Sequence, residues 1–563
     1  MVWMVTPGAE ASRTRSWWGW GYDDAALNPS ELGGLARLLH DSFGIAATHR
    51  DPPDFGAVDL PPSRLVPPAS LAHLASDAPA DRVCHAYGSS FRDIVRSLDG
   101  RIDHPPDLVA RPTSAAEVVD VLDWCSSAGV AAIPYGGGTS VVGGVEPDVG
   151  DGYAGTVSVD LAALDGLIEL DRRSLAARIG AGTLGPALED ALRPHGLTLR
   201  FFPQSFECST LGGWIATRAG GHFATGPTHI DDLVEAMGVV TPAGIVETRR
   251  LPASGAGPSP DRLFLGSEGA LGIITDAWVR IRPRPRFRAG GSATFASLFE
   301  GAEAVRALAQ SGLAPTNCRL IDPVEAMVNG VGDGSGALLI VGFESADHPV
   351  DGPAARAAEL VRDHGGTVDE ASWNHQGGGP DVDDLPASPA SAASPTSKSA
   401  SGSASAGWRG SFIRAPYLRD GLVRLGMMVE TFETAVTWDR FEDLHAAVTG
   451  ATLSALAEVG ASGGFVTCRT THAYPDGVAP YFTVIAPGRP GSMLSQWDTV
   501  KAAASEALLA AGGTITHHHA VGRDHRPFYD RQRPELFAAA LRGAKGVLDP
   551  SSVCNPGVLL PAG

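Results

Sequence analysis

Pro134-Tyr135-Gly136-Gly137-Gly138-Thr139-Ser140 places three adjacent glycines behind a short apolar run, Ala131-Ala132-Ile133. Glycine lets a backbone turn sharply and come close to a ligand. Concave arrays of backbone amides hold phosphates, and Thr139 and Ser140 add hydroxyl donors. No Gly-Lys-Ser/Thr follows, so this is not a Walker loop, and the GxGxxG spacing of the Rossmann fingerprint is absent. On its own the stretch reads equally well as a flexible turn.

Working outward, the flanks alternate helices and strands. Arg111-Pro112-Thr113-Ser114 opens a helix, with Ser114 and Glu117 in capping-box spacing. Ala115, Val118, Val119, Leu122 and Cys125 follow on one helical face. Ala131–Pro134, Thr156–Asp160 and Ser174–Gly182 read as strands, and Thr183–Pro194 as a helix. Three more segments are short, rich in Gly, Ser and Thr, and flanked by strand-like sequence. They are Pro203–Trp214 (PQSFECSTLGGW), Thr217–Gly221 (TRAGG) and Gly266–Thr275 (GSEGALGIIT). Loops of this kind can wrap a long polar ligand.

The chain has 563 residues, beyond the size of a single core, so more than one domain is expected. Its net charge of −20 opposes a nucleic-acid partner. Six cysteines stand singly without zinc spacing, as in a reducing compartment. The first residues lack the apolar core of a signal peptide, and no apolar run is long enough to span a bilayer, so a cytoplasmic protein is expected. Residues 1–80 form an N-terminal extension whose cluster Trp17-Trp18-Gly19-Trp20-Gly21-Tyr22 is expected to pack on the body. The tract 375–407, dominated by Ser, Ala, Pro, Gly and Asp, cannot bury a core and reads as a disordered insertion.

RPTSAAEV, IPYGGGTSVVGG, STLGGW and GSEGALGIIT, in this order, resemble the FAD-binding domain of the vanillyl-alcohol-oxidase family over roughly residues 80–563. The resemblance implies an α+β fold. A two-subdomain PCMH-type FAD-binding domain spans 81–288, a mixed α/β substrate (cap) domain spans 289–515, and 516–563 returns to the FAD domain. It implies that Pro134, Tyr135, Gly136, Gly137, Gly138, Thr139 and Ser140 cradle the FAD pyrophosphate. Gln204, Ser205, Ser209 and Thr210, with Thr217, Arg218, Ala219 and Gly220, line the isoalloxazine and ribityl chain. Glu268, Gly269, Leu271, Gly272 and Ile274 reach the adenine side. Tyr135 and its neighbours offer no His for a covalent flavin link, so FAD is expected to be non-covalent.

Within that family, WGWGY (18–22), CRLID (318–322), APYLRD (415–420), FETAVTWDR (432–440), TCRTTHAY (467–474) and HHHAVG (517–522) resemble the ether-lipid synthases. These exchange the acyl group of acyl-dihydroxyacetone phosphate for a fatty alcohol, without net redox change. The resemblance assigns substrate phosphate to Arg419, acid–base work to Tyr481 and the active-site wall to His517, His518 and His519. It also sets Arg319 near the flavin. By the same resemblance Tyr481 removes a proton beside the carbonyl and the flavin serves as a covalent carrier that ends as it began. A lipid phosphate and a fatty alcohol are the implied small-molecule partners. A fatty substrate points to peripheral membrane contact, although no amphipathic anchor stands out, and a homodimer is compatible with the pattern.

Read without the family, Tyr481 is an aromatic in an alternating strand, and an ordinary phenol (pKa about 10) needs neighbouring cations to act as a base. Alternation in GGTITHHH puts His517 and His519 on one face and His518 on the other. No spaced Asp, Glu or Cys accompanies them, so no metal is expected. Two features depart from the synthases. Phe201 stands where they carry His. Leu548-Asp549-Pro550 through Asn555-Pro556-Gly557 resembles the end of flavin dehydrogenases that act on D-2-hydroxy acids. An FAD-dependent oxidoreductase acting on such an acid or an alcohol is therefore the alternative, and a flavin-binding protein without catalysis a third.

Overall fold

The computed structural model describes residues 13–373 and 404–561. The predicted insertion at 375–407 falls outside these, except that 404–407 open the helix Ala404–Arg424. The chain divides into two compact units. One comprises Pro52–Gly221, His229–Pro283 and His518–Gly563; the other comprises Met1–Asp51, His222–Thr228 and Arg284–His517.

The first unit is built on two sheets. In the four-stranded sheet Leu108–Ala110, Gly155–Asp160 and Val130–Tyr135 run parallel, and Ala75–Ser76 joins antiparallel. Every residue of Gly155–Asp160 is buried, the apolar run expected of a covered parallel strand. The helix Ala115–Ala128 supplies Val118, Val121, Leu122 and Cys125 to the core beneath it. Its capping box is half made. Ser114 accepts the Glu117 N–H at 3.3 Å, but the Glu117 carboxylate turns to Thr113, taking its N–H at 2.6 Å and its hydroxyl at 2.8 Å. The second sheet is antiparallel, in the order Leu167–Asp171, Ala176–Gly180, Ile273–Arg280, Val234–Thr241, Gly244–Glu247. The helix expected over Thr183–Pro194 is shorter, Gly185–Leu192, and tightens into a 3-10 turn at Arg193–His195, where Pro194 interrupts the α ladder.

The other unit centres on one antiparallel sheet. Its order is Thr367–Val368, Phe287–Phe295, Ala337–Ser345, Asn317–Ile321, Phe465–Ala473, Gly477–Pro487, Met427–Glu433, and Val436–Thr437 also pairs with Gly477–Pro487. Side chains alternate between faces along each strand. Phe432, Phe482 and Cys468 share one face through their register, and the Phe482 ring lies 5.7 Å from His445 of the helix Phe441–Glu458. Their neighbours Glu433, Tyr481 and Arg469, also in register, point to the opposite face.

The helix Pro29–Phe43 was not anticipated in the N-terminal segment. Its start was legible, because Asn28 caps it, Pro29 follows, and Glu31 completes a capping box. Trp20 and Ala25 pack with Tyr417 of the helix Ala404–Arg424. All six cysteines are free thiols. Among the described residues no helix is long and apolar enough to cross a membrane.

Candidate active site

In the first unit the glycine loop leaves the end of the strand Val130–Tyr135. The Tyr135 hydroxyl donates to the Cys84 carbonyl at 2.8 Å. A Cβ on Gly136 would strike the Thr210 hydroxyl, one on Gly137 the Cys208 carbonyl, and one on Gly138 the Tyr135 hydroxyl. Gly138 also has φ +66°, a left-handed conformation that favours glycine. The three glycines thus let residues 208–210 lie directly on the loop. Ser89 fixes its other side: its hydroxyl donates to Gly138 O at 3.0 Å and its N–H to Ser140 O at 2.6 Å. The Ser140 hydroxyl accepts the Gly144 N–H at 3.0 Å. Pro134, Tyr135, Thr139 and Ser140 are half-buried around this turn. The loop presents backbone amides and small hydroxyls, a donor set that fits a diphosphate.

The expected partner segments converge here. Thr210 caps the helix Leu211–Thr217 by accepting the Gly213 N–H at 3.2 Å. Ser209 accepts from Trp214 Nε1 at 2.6 Å and from Ser205 at 3.0 Å, so these two hydroxyls shape the turn beside Gln204. Thr217 donates to Gly213 O at 2.8 Å. Arg218 ends the helix at φ +52°, and its guanidinium pairs with Asp231 at 2.7 Å. Ala219 N–H bonds back to Trp214 O, and Gly220 bridges to His229. A Cβ on Gly269 would press on the Pro134 ring, which sets GSEGALG against the glycine loop. Leu271 and Ile274 put their side chains into the core, so only their backbone can face a ligand; Gly272, at φ +138°, needs its missing side chain.

Glu268 does more than its predicted role on the adenine side required. Its buried carboxylate accepts the Val521 N–H at 2.9 Å and the Gly522 N–H at 3.1 and 2.9 Å. Burial raises its pKa to about 7, against the lowering effect of those two N–H groups. Its carbonyl accepts from Asn555 Nδ2 at 2.7 Å, and the same amide donates to Gly144 O at 3.0 Å. Asn555 thus braces both loops, a role that sequence reasoning assigned to no residue. Phe201 is 1% exposed and its ring lies 5.2 Å from that of Trp214, so it is a core aromatic.

In the other unit the polar face of the sheet gathers several charges. Arg319 lies on the same face as Ile321, the register partner of Arg469, and Arg469 is opposite Tyr481. Arg469 stacks on the Tyr481 ring, its guanidinium carbon 3.9 Å from the centroid, and pairs with Glu325 of the helix Pro323–Val328. Burial raises the Tyr481 phenol above its ordinary value, and Arg469 and Thr431 only partly offset this. The cation expected to make Tyr481 a base is therefore present but already paired, and the net direction keeps the proton on the phenol. Arg319 donates to His222 O at 3.2 Å. Burial, reinforced by the charge of Arg469, lowers its pKa to about 9 despite Glu325.

Arg419, on the helix Ala404–Arg424, pairs with its neighbour Asp420 through Nε at 3.1 Å and Nη2 at 2.9 Å. Asp420 also takes the Trp20 N–H at 2.5 Å, which ties WGWGY to APYLRD.

The histidine triplet does not form the expected strand. Residues 513–521 are bends and irregular backbone, and Ala520 is left-handed at φ +73°. His518 and His519 stack edge-on with centroids 5.0 Å apart, instead of pointing to opposite faces. Glu433 competes with a strand here: its carboxylate takes the Thr516 hydroxyl at 2.7 Å and the His517 N–H at 2.6 Å, the latter a donor that a strand ladder would use. Arg469, Glu433 and Tyr474 lie inside quoted motifs, yet nothing in their spacing announced a role.

A family model for the FAD binding domain matches residues 106–249, and one for the C-terminal domain of FAD linked oxidases matches 284–559. The alkyldihydroxyacetonephosphate synthase of Dictyostelium discoideum is 30% identical over 506 residues, 85% of this chain and 77% of its own. That of Trypanosoma brucei brucei is 29% identical over 612 residues, 99% of this chain and 94% of its own. A solved alkyldihydroxyacetonephosphate synthase structure shares the fold, with TM-score 0.76 at 24% identity over 96% of this chain and 98% of that one.

Proposed function

This chain belongs to the FAD-linked oxidase family that includes the alkyldihydroxyacetonephosphate synthases, and from that premise we propose that it is an alkylglycerone-phosphate synthase. It exchanges the acyl group of acyl-dihydroxyacetone phosphate for a fatty alcohol, a step of ether lipid synthesis. The observation that carries this reading is near full-length similarity to the synthases, joined to a buried face that sets Tyr481 beside Arg469 and near Arg319.

The residues divide the work as follows. Gly136–Ser140, with Gln204–Thr210, Thr217–Gly220 and Glu268–Ile274, hold FAD non-covalently, chiefly through backbone amides. FAD, when bound, supplies a carrier for the group in transfer that is neither oxidised nor reduced overall. Arg419 holds the substrate phosphate, for which a guanidinium fork is well shaped. Tyr481 is the acid–base group beside the substrate carbonyl; burial favours its protonated form in the resting protein, so it must give up that proton on substrate binding before it takes the substrate's proton and later returns it. Arg319 and Arg469 balance negative charge that gathers during transfer. His517, His518 and His519 orient the reacting groups. The fatty substrates draw the enzyme to a membrane surface.

The redox alternative rests on the Asn-Pro-Gly ending and on Phe201. Asn555 braces Gly144 and Glu268, which any flavin chemistry in this cradle would need, so the motif does not favour dehydrogenation. The test mixes purified protein with palmitoyl-dihydroxyacetone phosphate and labelled hexadecanol under nitrogen, without electron acceptor. Ether product with no net flavin reduction is expected. No ether product, together with flavin bleaching by a D-2-hydroxy acid, would overturn the reading.

A further inference from the structure

His517 makes a chain of hydrogen bonds to residues of its own unit. Its backbone N–H and the Thr516 hydroxyl occupy the two oxygens of Glu433, a residue 1% exposed at the end of the strand Met427–Glu433. One of those oxygens lies 4.0 Å from His517 Nδ1. On the far side of the ring, Nε2 is 2.9 Å from the Tyr474 hydroxyl, which is 3.0 Å from the hydroxyl of Thr228. His472 closes the cluster, its ring 5.0 Å from that of His517 and within 12° of parallel to Tyr474.

The direction of these bonds follows from the charges. A buried carboxylate beside Nδ1 favours the tautomer with its proton there. Nε2 then offers a lone pair, and the Tyr474 O–H donates to it. The Tyr474 oxygen in turn accepts from Thr228. The Tyr474 bond and the nearby Glu433 charge together favour one plane and one tautomer for the imidazole. The same carboxyl group belongs to the residue opposite Tyr481 in the sheet register, so the imidazole and the phenol are referred to one strand end.

We propose that Tyr474 and Glu433 are positioning residues of the transfer reaction, which hold His517 as the Nδ1–H tautomer through a Glu433–His517–Tyr474 relay. The part played in the reaction rests on the synthase reading; the tautomer does not. A held imidazole matters because small misplacements of a reacting group cost large factors in rate.

The experiment compares the full-length flavoprotein with its Tyr474→Phe and Glu433→Gln variants. Histidine-selective NMR reads the His517 ring nitrogens without any substrate. A wild-type Nδ1–H tautomer, shifting toward a mixture in Tyr474→Phe, is expected. A wild-type ring protonated at Nε2 alone, or a Tyr474→Phe spectrum identical to wild type, overturns the relay whether or not the protein makes ether product. In the ether assay, Tyr474→Phe should lower kcat about 10- to 100-fold while KM for the acyl substrate moves less than about threefold, as expected when a reacting group is misplaced. An unchanged kcat in Tyr474→Phe, with a wild type that does make ether, overturns the positioning role and leaves the synthase reading intact. Tyr474→Phe removes one oxygen, and retained flavin with unchanged melting separates its effect from misfolding.

Discussion

Gly522 gives its backbone N–H to both carboxylate oxygens of Glu268, at 3.1 and 2.9 Å. The turn that follows the histidine triplet is thereby fastened to the GSEG loop. Burial holds the Glu268 pKa near 7, above an ordinary carboxyl, so the folded protein binds this proton more tightly than the unfolded chain does. Its contribution to stability is complete below the unfolded value of about 4.5 and is lost as pH rises through about 7. The Glu268→Gln variant should lose less stability than wild type between roughly pH 5 and pH 8. Melting temperatures across that range provide the check, and parallel curves for the two proteins would refute the assignment.

Gly137 faces a different constraint. Its absent side chain leaves room for the Cys208 carbonyl, a backbone atom that cannot swing away. Gly137→Ala should push residues 208–210 off the loop and weaken flavin retention more than Gly150→Ala does, at a left-handed turn where a Cβ meets nothing. Flavin per mole of purified folded protein, read from the visible spectrum, decides between them.

Tyr481→Phe removes the phenol proton but keeps the ring under Arg469. A fall in ether synthesis of about 10²- to 10⁴-fold, the usual worth of a positioned acid–base group, is expected with flavin content unchanged. Wild-type rates in this variant would return Tyr481 to the core role that its alternation alone suggested.

Phe201 should behave as a packing residue. Phe201→Ala is expected to cost about 3–5 kcal/mol, the range for emptying an aromatic from a core. Phe201→His places a polar ring against Trp214 and should destabilise without raising activity. Denaturant unfolding and the ether assay measure the two effects, and a gain of activity in Phe201→His would show that the position still belongs to the chemistry.

The motif-bearing loops were legible because their glycines are demanded locally. Gly138 must adopt a left-handed turn and Gly269 must clear Pro134, and sequence reports such requirements directly. The helix Ala115–Ala128 was legible for the same reason, through Ser114 and its periodic apolar face. What sequence left out was pairing at long range. Glu433 meets His517 across 84 positions and Asn555 meets Glu268 across 287, distances over which no periodicity carries information. The histidine strand failed on the same ground: the expected alternation of His517–His519 is not adopted, and a distant carboxylate takes the N–H that a ladder would have used.

The strand Val130–Tyr135 lies at an edge of its parallel sheet and is finished there by residues from the far end of the chain. Ala132 N–H bonds to Val553 O at 2.8 Å, and Asn555 N–H to Ala132 O at 2.9 Å. During synthesis the outer edge of this strand must therefore wait, open to wrong partners, while more than 400 further residues are made, although its other edge can pair early with Gly155–Asp160. The glycine loop gains its brace only after residue 555 has left the ribosome. Flavin capture is therefore predicted to follow release of Asn555, and a chain ending just before it should be isolated without bound flavin.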